Sequence, residues 1–105
     1  MKKRVSEVIR LNKKYGIADI KVYTNIYDWF HLPYLLRYSE KEKRNLYYEG
    51  FAFVSRYPLT IHISPYTSLE TLYHELGHVY GEPDEDLAME VGKKIVSLWR
   101  KREKT

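Results

Sequence analysis

The sequence predicts an α+β domain in which a small, mostly antiparallel sheet packs on a backing helix and on two further helices near the end of the chain. Three observations predict that class. Both end segments carry apolar residues at helical spacing, segments 19–24 and 59–64 alternate polar and apolar side chains, and a helix-start signature follows the second of these directly. At 105 residues the chain has the usual size for one hydrophobic core. Its 44% apolar content, with 11 tyrosines supplying bulk, excludes intrinsic disorder. Residues 1–105 are therefore expected to form a single domain.

Each element has its own signature. Residues 3–15 form an amphipathic pattern with Val5, Val8, Ile9 and Leu11 toward the core, stopped by Gly16. Asp19-Ile20-Lys21-Val22 alternate as a half-buried strand should. Residues 26–38, crowded with Tyr27, Trp29, Phe30 and Tyr34, suit a short helix or a packed loop equally, and Ser39 to Asn45 reads as a charged, exposed stretch. A hairpin follows, with strands 51–55 and 59–64 around a turn through Arg56-Tyr57-Pro58. Its second strand places Leu59, Ile61 and Ile63 on one face, and Thr60, His62 and Ser64 on the other. Thr67-Ser68-Leu69-Glu70 is a capping-box pattern that starts the next helix, and Gly81 can stop that helix in the left-handed conformation. Pro83 suits the first turn of a last helix, capped by Glu82 or Asp84 and carrying Leu87, Ala88, Val91, Ile95, Leu98 and Trp99 at helical spacing.

Composition narrows the functional classes. No apolar run approaches the ~20 residues that cross a bilayer, so no membrane span is expected. The basic start of the chain lacks the apolar stretch of a signal peptide, so the expectation is a soluble, cytoplasmic protein. With no cysteine, disulfides and thiolate metal ligands are excluded, and any metal must be held by histidine and carboxylate. The absence of Gln, the three Asn and the 30% charged residues resemble a protein from a hot habitat. The net charge of +4 gathers at Lys2-Lys3-Arg4 and Arg100-Lys101-Arg102, which admits a basic nucleic-acid-binding module as one reading. Solvated helix ends, with cations favoured near a helix C-terminus, explain the same residues and are preferred.

The most specific feature is His74-Glu75-Leu76-Gly77-His78, which fits H-E-x-x-H. Two histidines four apart on a helix project from one face and can hold one metal ion, with the intervening glutamate placed to act as general base. Shuffling this composition produces the string at roughly 1 in 100, so chance is a weak competitor. At about 100° per residue, Leu69, Leu72, Leu76 and Val79 fall within about 80° of one another, a stripe that packs on the sheet. His74 and His78 lie about 40° apart and nearly opposite that stripe, with Glu75 about 60° further round.

Zinc needs a third protein ligand and an open position for water. No histidine follows His78, which leaves Glu82, Asp84, Glu85, Asp86 and Glu90. Glu85 is preferred because it sits early in the following helix, where Ala88 and Gly92 continue its face with small side chains. These residues resemble the gluzincin metallopeptidases, whose third ligand is a Glu on the helix after the motif helix, often within Glu-x-x-Ala-Asp. Glu85-Asp86-Leu87-Ala88-Met89 matches the Glu and the Ala, with Met89 where the family places an Asp that supports a ligating histidine. The chain is also similar to the minigluzincins, soluble domains of this length that resemble the catalytic domains of membrane metallopeptidases such as the CAAX prenyl-proteases.

The resemblance implies a minimal zincin-like fold with an active-site helix and a glutamate helix, a Zn2+ cofactor, a peptide or protein substrate, and endopeptidase activity. A rival pattern, H-E-x-x-H-x-x-G-x-x-D, would make Asp84 the third ligand in the metzincin manner, but the chain runs straight into a helical pattern where metzincins place a Met-containing turn. Tyr66, Tyr73, Tyr80 and His62 are the candidates to assist an oxyanion, and the strand at 59–64 is the expected rim for an extended substrate. The resemblance also admits a latent or purely regulatory zinc-binding domain, with Glu103 or the final carboxylate of the charged tail occupying the open zinc position.

Overall fold

The computed structural model describes residues Met1–Thr105. Helix α1 spans Lys3–Tyr15, strand β1 Asp19–Val22, helix α2 Ile26–Phe30 and helix α3 Glu40–Glu49. Strands β2 (Phe53–Arg56) and β3 (Leu59–Ile63) precede helices α4 (Leu69–Val79) and α5 (Glu85–Lys104). The class is α+β, as the periodicities require. No helix is long and apolar enough to cross a membrane.

The sheet has the order β1-β3-β2. The β2–β3 hairpin is antiparallel, with Phe53 opposite His62 and Arg56 opposite Leu59. β1 joins β3 in parallel, so the sheet is mixed, with one pair of each kind where a mostly antiparallel one was expected. Residues 23–58 lie between these paired strands and supply the crossover that parallel pairing needs.

Alternation along β3 splits the interior in two. Ile61 and Ile63 are fully buried with Val5, Val8 and Leu11 of α1 and Leu72 and Leu76 of α4. On the opposite face Phe53, Tyr23, Trp29, Leu35 and Tyr47 form a separate, mostly aromatic cluster beneath α2 and α3. The indeterminate stretch 26–38 is helix α2, capped by Asn25, followed by a 3-10 turn over Pro33–Arg37.

The charged stretch from Ser39 is exposed as expected, and it forms the start of helix α3, with Ser39 and Glu42 making a reciprocal capping box. One local expectation needs correction. The cap of α4 lies one residue later than expected: Ser68 accepts from the Thr71 N–H, while the Thr67 hydroxyl turns back to accept from the Ser64 N–H. Local hydrogen bonding of two adjacent hydroxyl residues decides which one caps.

α4 and α5 touch backbone to backbone. A Cβ on Gly77 would collide with the carbonyl of Ala88, and one on Gly92 with the carbonyl of Tyr73. Pairing of residue 77 with 88 and of 73 with 92 shows that the helices run in opposite senses. Gly92→Ala is expected to lower the free energy of unfolding by about 1–3 kcal/mol, the range for inserting atoms into a filled interior. Chemical denaturation reads this as a lower midpoint, and an unchanged midpoint would mean that the two helices do not meet there.

Candidate metal centre

His74 and His78 lie one turn apart on α4, on the side turned away from Leu72 and Leu76. The H-E-x-x-H spacing thus places both imidazoles together, with Nε2 atoms 2.9 Å apart. Glu85, the first residue of α5, reaches them through Oε2, 2.6 Å from His74 Nε2 and 3.4 Å from His78 Nε2. These three side chains form a group able to hold a metal ion.

The donor set fits such an ion. Three tetrahedral ligands at ~2.0–2.2 Å from a zinc ion would stand about 3.3–3.6 Å from one another. The observed sides are 2.6, 2.9 and 3.4 Å, so the two shorter ones would open by about half an ångström or more, through movement of the exposed Glu85 carboxylate and rotation of the imidazoles.

The turn after α4 orients one ligand. Gly81 adopts φ 100°, the positive value expected of a left-handed stop. The Glu82 N–H donates to the Gly77 carbonyl and the Gly81 N–H to that of His78, a Schellman arrangement. This turn brings the Glu82 carbonyl 2.7 Å from His78 Nδ1. Donation of Nδ1–H to that carbonyl fixes the tautomer and leaves Nε2 free as a ligand. A main-chain carbonyl therefore orients His78.

Asp84 has a different task. Its Oδ1 accepts from the N–H groups of Asp86 and Leu87, capping α5. Glu82 accepts from the Asp84 N–H, and neither residue belongs to the metal-binding group. The capping turn thus uses Asp84 to set the helix start and so to aim Glu85.

Electrostatics follow from this packing. Glu75 is half-buried beside the site, and burial raises its carboxyl above the ordinary range, against the opposing pull of His74 and His78. His78 is raised: burial works against its charged form, but the Glu82 carbonyl and Glu85 outweigh that. Glu85 is lowered, with slight burial opposed by hydrogen bonds from His78 and His74.

Glu75, His78 and Glu85 line a cavity of about 440 Å3 with Val54 and Arg56 of β2. The residues expected to assist an oxyanion are elsewhere. Tyr73 is buried, and Tyr80 accepts from the Ile17 N–H. Tyr66 packs on Tyr47 and Tyr48, and His62 lies on the far face of the sheet. Arg56, which sequence reasoning passed over as a turn residue, is the cation that does line the cavity. Its place opposite Leu59 at the end of the hairpin was the available signal.

The expected rim also shifts. β3 is the central strand, so β2 presents the free edge beside the site. Glu103 does not approach the metal ligands. It pairs with Arg10 and Lys14 of α1, and 18 residues of helix at 1.5 Å each separate it from Glu85 by about 27 Å.

No protein-family model, curated protein or solved structure matches the chain, so the functional reading rests on this geometry.

Two outcomes test the centre. Glu85→Ala is expected to lose bound metal while Asp84→Ala retains it and loses helix stability, as elemental analysis and thermal unfolding of the same samples will read. Because the His78 value is raised, its proton competes with a metal while pH is still above the ordinary imidazole range. Chelator competition between about pH 8 and about pH 6 should therefore show affinity falling by up to roughly tenfold per unit, whereas a flat profile would remove His78 from the ligand set.

Proposed function

We propose that the chain is a zinc-dependent metallopeptidase that hydrolyses peptide bonds with Glu75 as general base. The observation that carries the reading is the convergence of His74, His78 and Glu85 beside a half-buried glutamate whose carboxyl is raised toward working pH. Two imidazoles and one carboxylate, without sulfur, are the donor set of catalytic zinc sites that keep a position open. A zinc ion held there would polarise the substrate carbonyl and lower the pKa of water.

The chain's own groups do the rest. Glu75 accepts the proton of the attacking water and returns it to the leaving amine, a transfer suited to a carboxyl poised above its usual range. Arg56 brings positive charge to the same cavity, where an oxyanion would develop. The free edge of β2 offers unpaired main-chain groups to a substrate in extended form, which would join the sheet as a further strand.

One observation favours a second reading, a zinc-binding domain without turnover: no tyrosine or further histidine lines the cavity beside Glu75 and His78. Glu75→Gln separates the two. For a peptidase, this change lowers kcat by about 10²- to 10⁴-fold at unchanged zinc content, since Glu75 moves a proton and holds no metal. If the wild-type, zinc-loaded protein cleaves no peptide in a degenerate library, the domain binds metal without turnover.

A further inference from the structure

The face of the sheet away from the metal ligands carries a hydrogen-bonded chain that the proposed peptidase chemistry does not use. Ser55 on β2 places its Oγ 2.7 Å from His62 Nε2 on β3. His62 Nδ1 is in turn 2.7 Å from the hydroxyl of Tyr23, the residue after β1. The imidazole is held flat against Phe53, with centroids 4.6 Å apart and planes 14° apart, and Tyr23 stacks on it at 5.7 Å. Tyr23 is buried at 4% exposure, and the Tyr47 hydroxyl donates to its carbonyl. The base thus has a fixed orienting partner.

Ser55, His62 and Tyr23 share the wall of a cavity of about 770 Å3, larger than the one beside the metal ligands. Ile17, Leu32 and Pro58 give it an apolar side, and Lys21 gives it a cation. Lys21 stands opposite His62 in the strand register, with its Nζ 5.2 Å from the Tyr23 ring. Burial, reinforced by Lys21, holds His62 below the ordinary imidazole range, so the neutral ring prevails near pH 7.

We propose that these residues form a second, metal-independent acyl-transfer site acting on carboxylic esters with small apolar acyl groups. Ser55 is its nucleophile, His62 its general base and Tyr23 a positioning residue. A nucleophile hydrogen-bonded to a base, itself oriented by a third group, is the arrangement that activates a hydroxyl.

The reactive tautomer carries its proton on Nδ1 and donates it to the Tyr23 oxygen, so that Nε2 accepts the Ser55 hydroxyl. As Oγ bonds to the acyl carbon, the serine proton passes to Nε2. The ester C–O bond then breaks, its electron pair leaves with the alkoxide oxygen, and that oxygen takes the proton from Nε2. Water adds to the acyl-serine by the same route, releasing the carboxylic acid and restoring Ser55. Lys21 faces the negative charge that develops on the carbonyl oxygen. None of these steps requires the metal centre.

The test treats the full chain, in excess chelator, with a fluorophosphonate reagent and with p-nitrophenyl butyrate. The expected result is a single adduct on Ser55, located by peptide mass spectrometry, and ester hydrolysis that survives both chelation and Glu75→Gln. Ser55→Ala, a change of one oxygen, should abolish the adduct and lower turnover at least about tenfold. Tyr23→Phe keeps the ring and should lower kcat with KM little changed, which a merely structural hydroxyl would not do. An unlabelled Ser55 in the wild-type protein overturns the proposal, as does labelling on a lysine or tyrosine in its place. Hydrolysis that disappears with chelator belongs to the metal centre and also overturns it, and so does nitrogen NMR placing the His62 proton on Nε2.

Discussion

The arrangement depends on one contact, the backbone-to-backbone seam between α4 and α5. Gly77 meets Ala88 and Gly92 meets Tyr73, with no side chain between the two main chains at either point. Two contacts four residues apart on each helix fix the separation of the axes and the rotation of each helix about its own. His74 and His78 leave α4 beside this seam, and Glu85 begins α5 one turn before Ala88. The seam therefore sets where the two imidazoles and the start of α5 stand, and the exposed Glu85 carboxylate closes the triangle by hydrogen bonds to them. A larger residue at either glycine would move a whole helix, because a filled interior has no room to absorb a Cβ.

The connection between the helices is economical in the same sense. Gly81 permits a Schellman turn, that turn aims the Glu82 carbonyl at His78, and two residues later Asp84 caps α5 so that Glu85 starts it. Termination of one helix, orientation of one ligand and initiation of the next helix occupy five residues. Any change here that kept the helices but altered the turn would act on the capacity to hold a metal through the tautomer of His78 and not through a lost side chain.

Much of this was legible in the chain because its signals are local. The amphipathic repeat of α1, the hairpin, the H-E-x-x-H spacing and the glycine after α4 depend on residues within one or two turns of each other. Helix α3 was obscured for a physical reason: only Tyr47 on it is buried, so it has almost no apolar stripe, and only the Ser39–Glu42 capping box announces it. The parallel pairing of β1 with β3 joins segments about 40 residues apart through tertiary contacts, and no local period encodes it. That pairing places Lys21 beside His62 and brings Tyr23 to it, so the polar chain on that face could not be assembled from the hairpin alone. Seating β3 in the centre likewise follows from β1, and it transfers the free edge to β2 and to Arg56.

The far end of α5 shows which forces hold that helix in place. Arg100 meets Glu7 at 2.7 Å, and Glu103 meets Arg10 at 2.7 Å and Lys14 at 3.8 Å, so three ion pairs tie α5 to α1. These pairs are substantially exposed, with Arg10 57% open to solvent, and water and salt screen such contacts until they contribute little. Val96 and Trp99 are buried on the same stretch, and burial of a valine alone contributes about 1.5–3 kcal/mol. Apolar packing therefore anchors the helix, and the charges select its register against α1. That division has a functional consequence. The tail is held about 27 Å of helix away from Glu85, so it can reach an open metal position of its own molecule only by breaking the Val96 and Trp99 packing, and not by exchanging one surface ion pair for another.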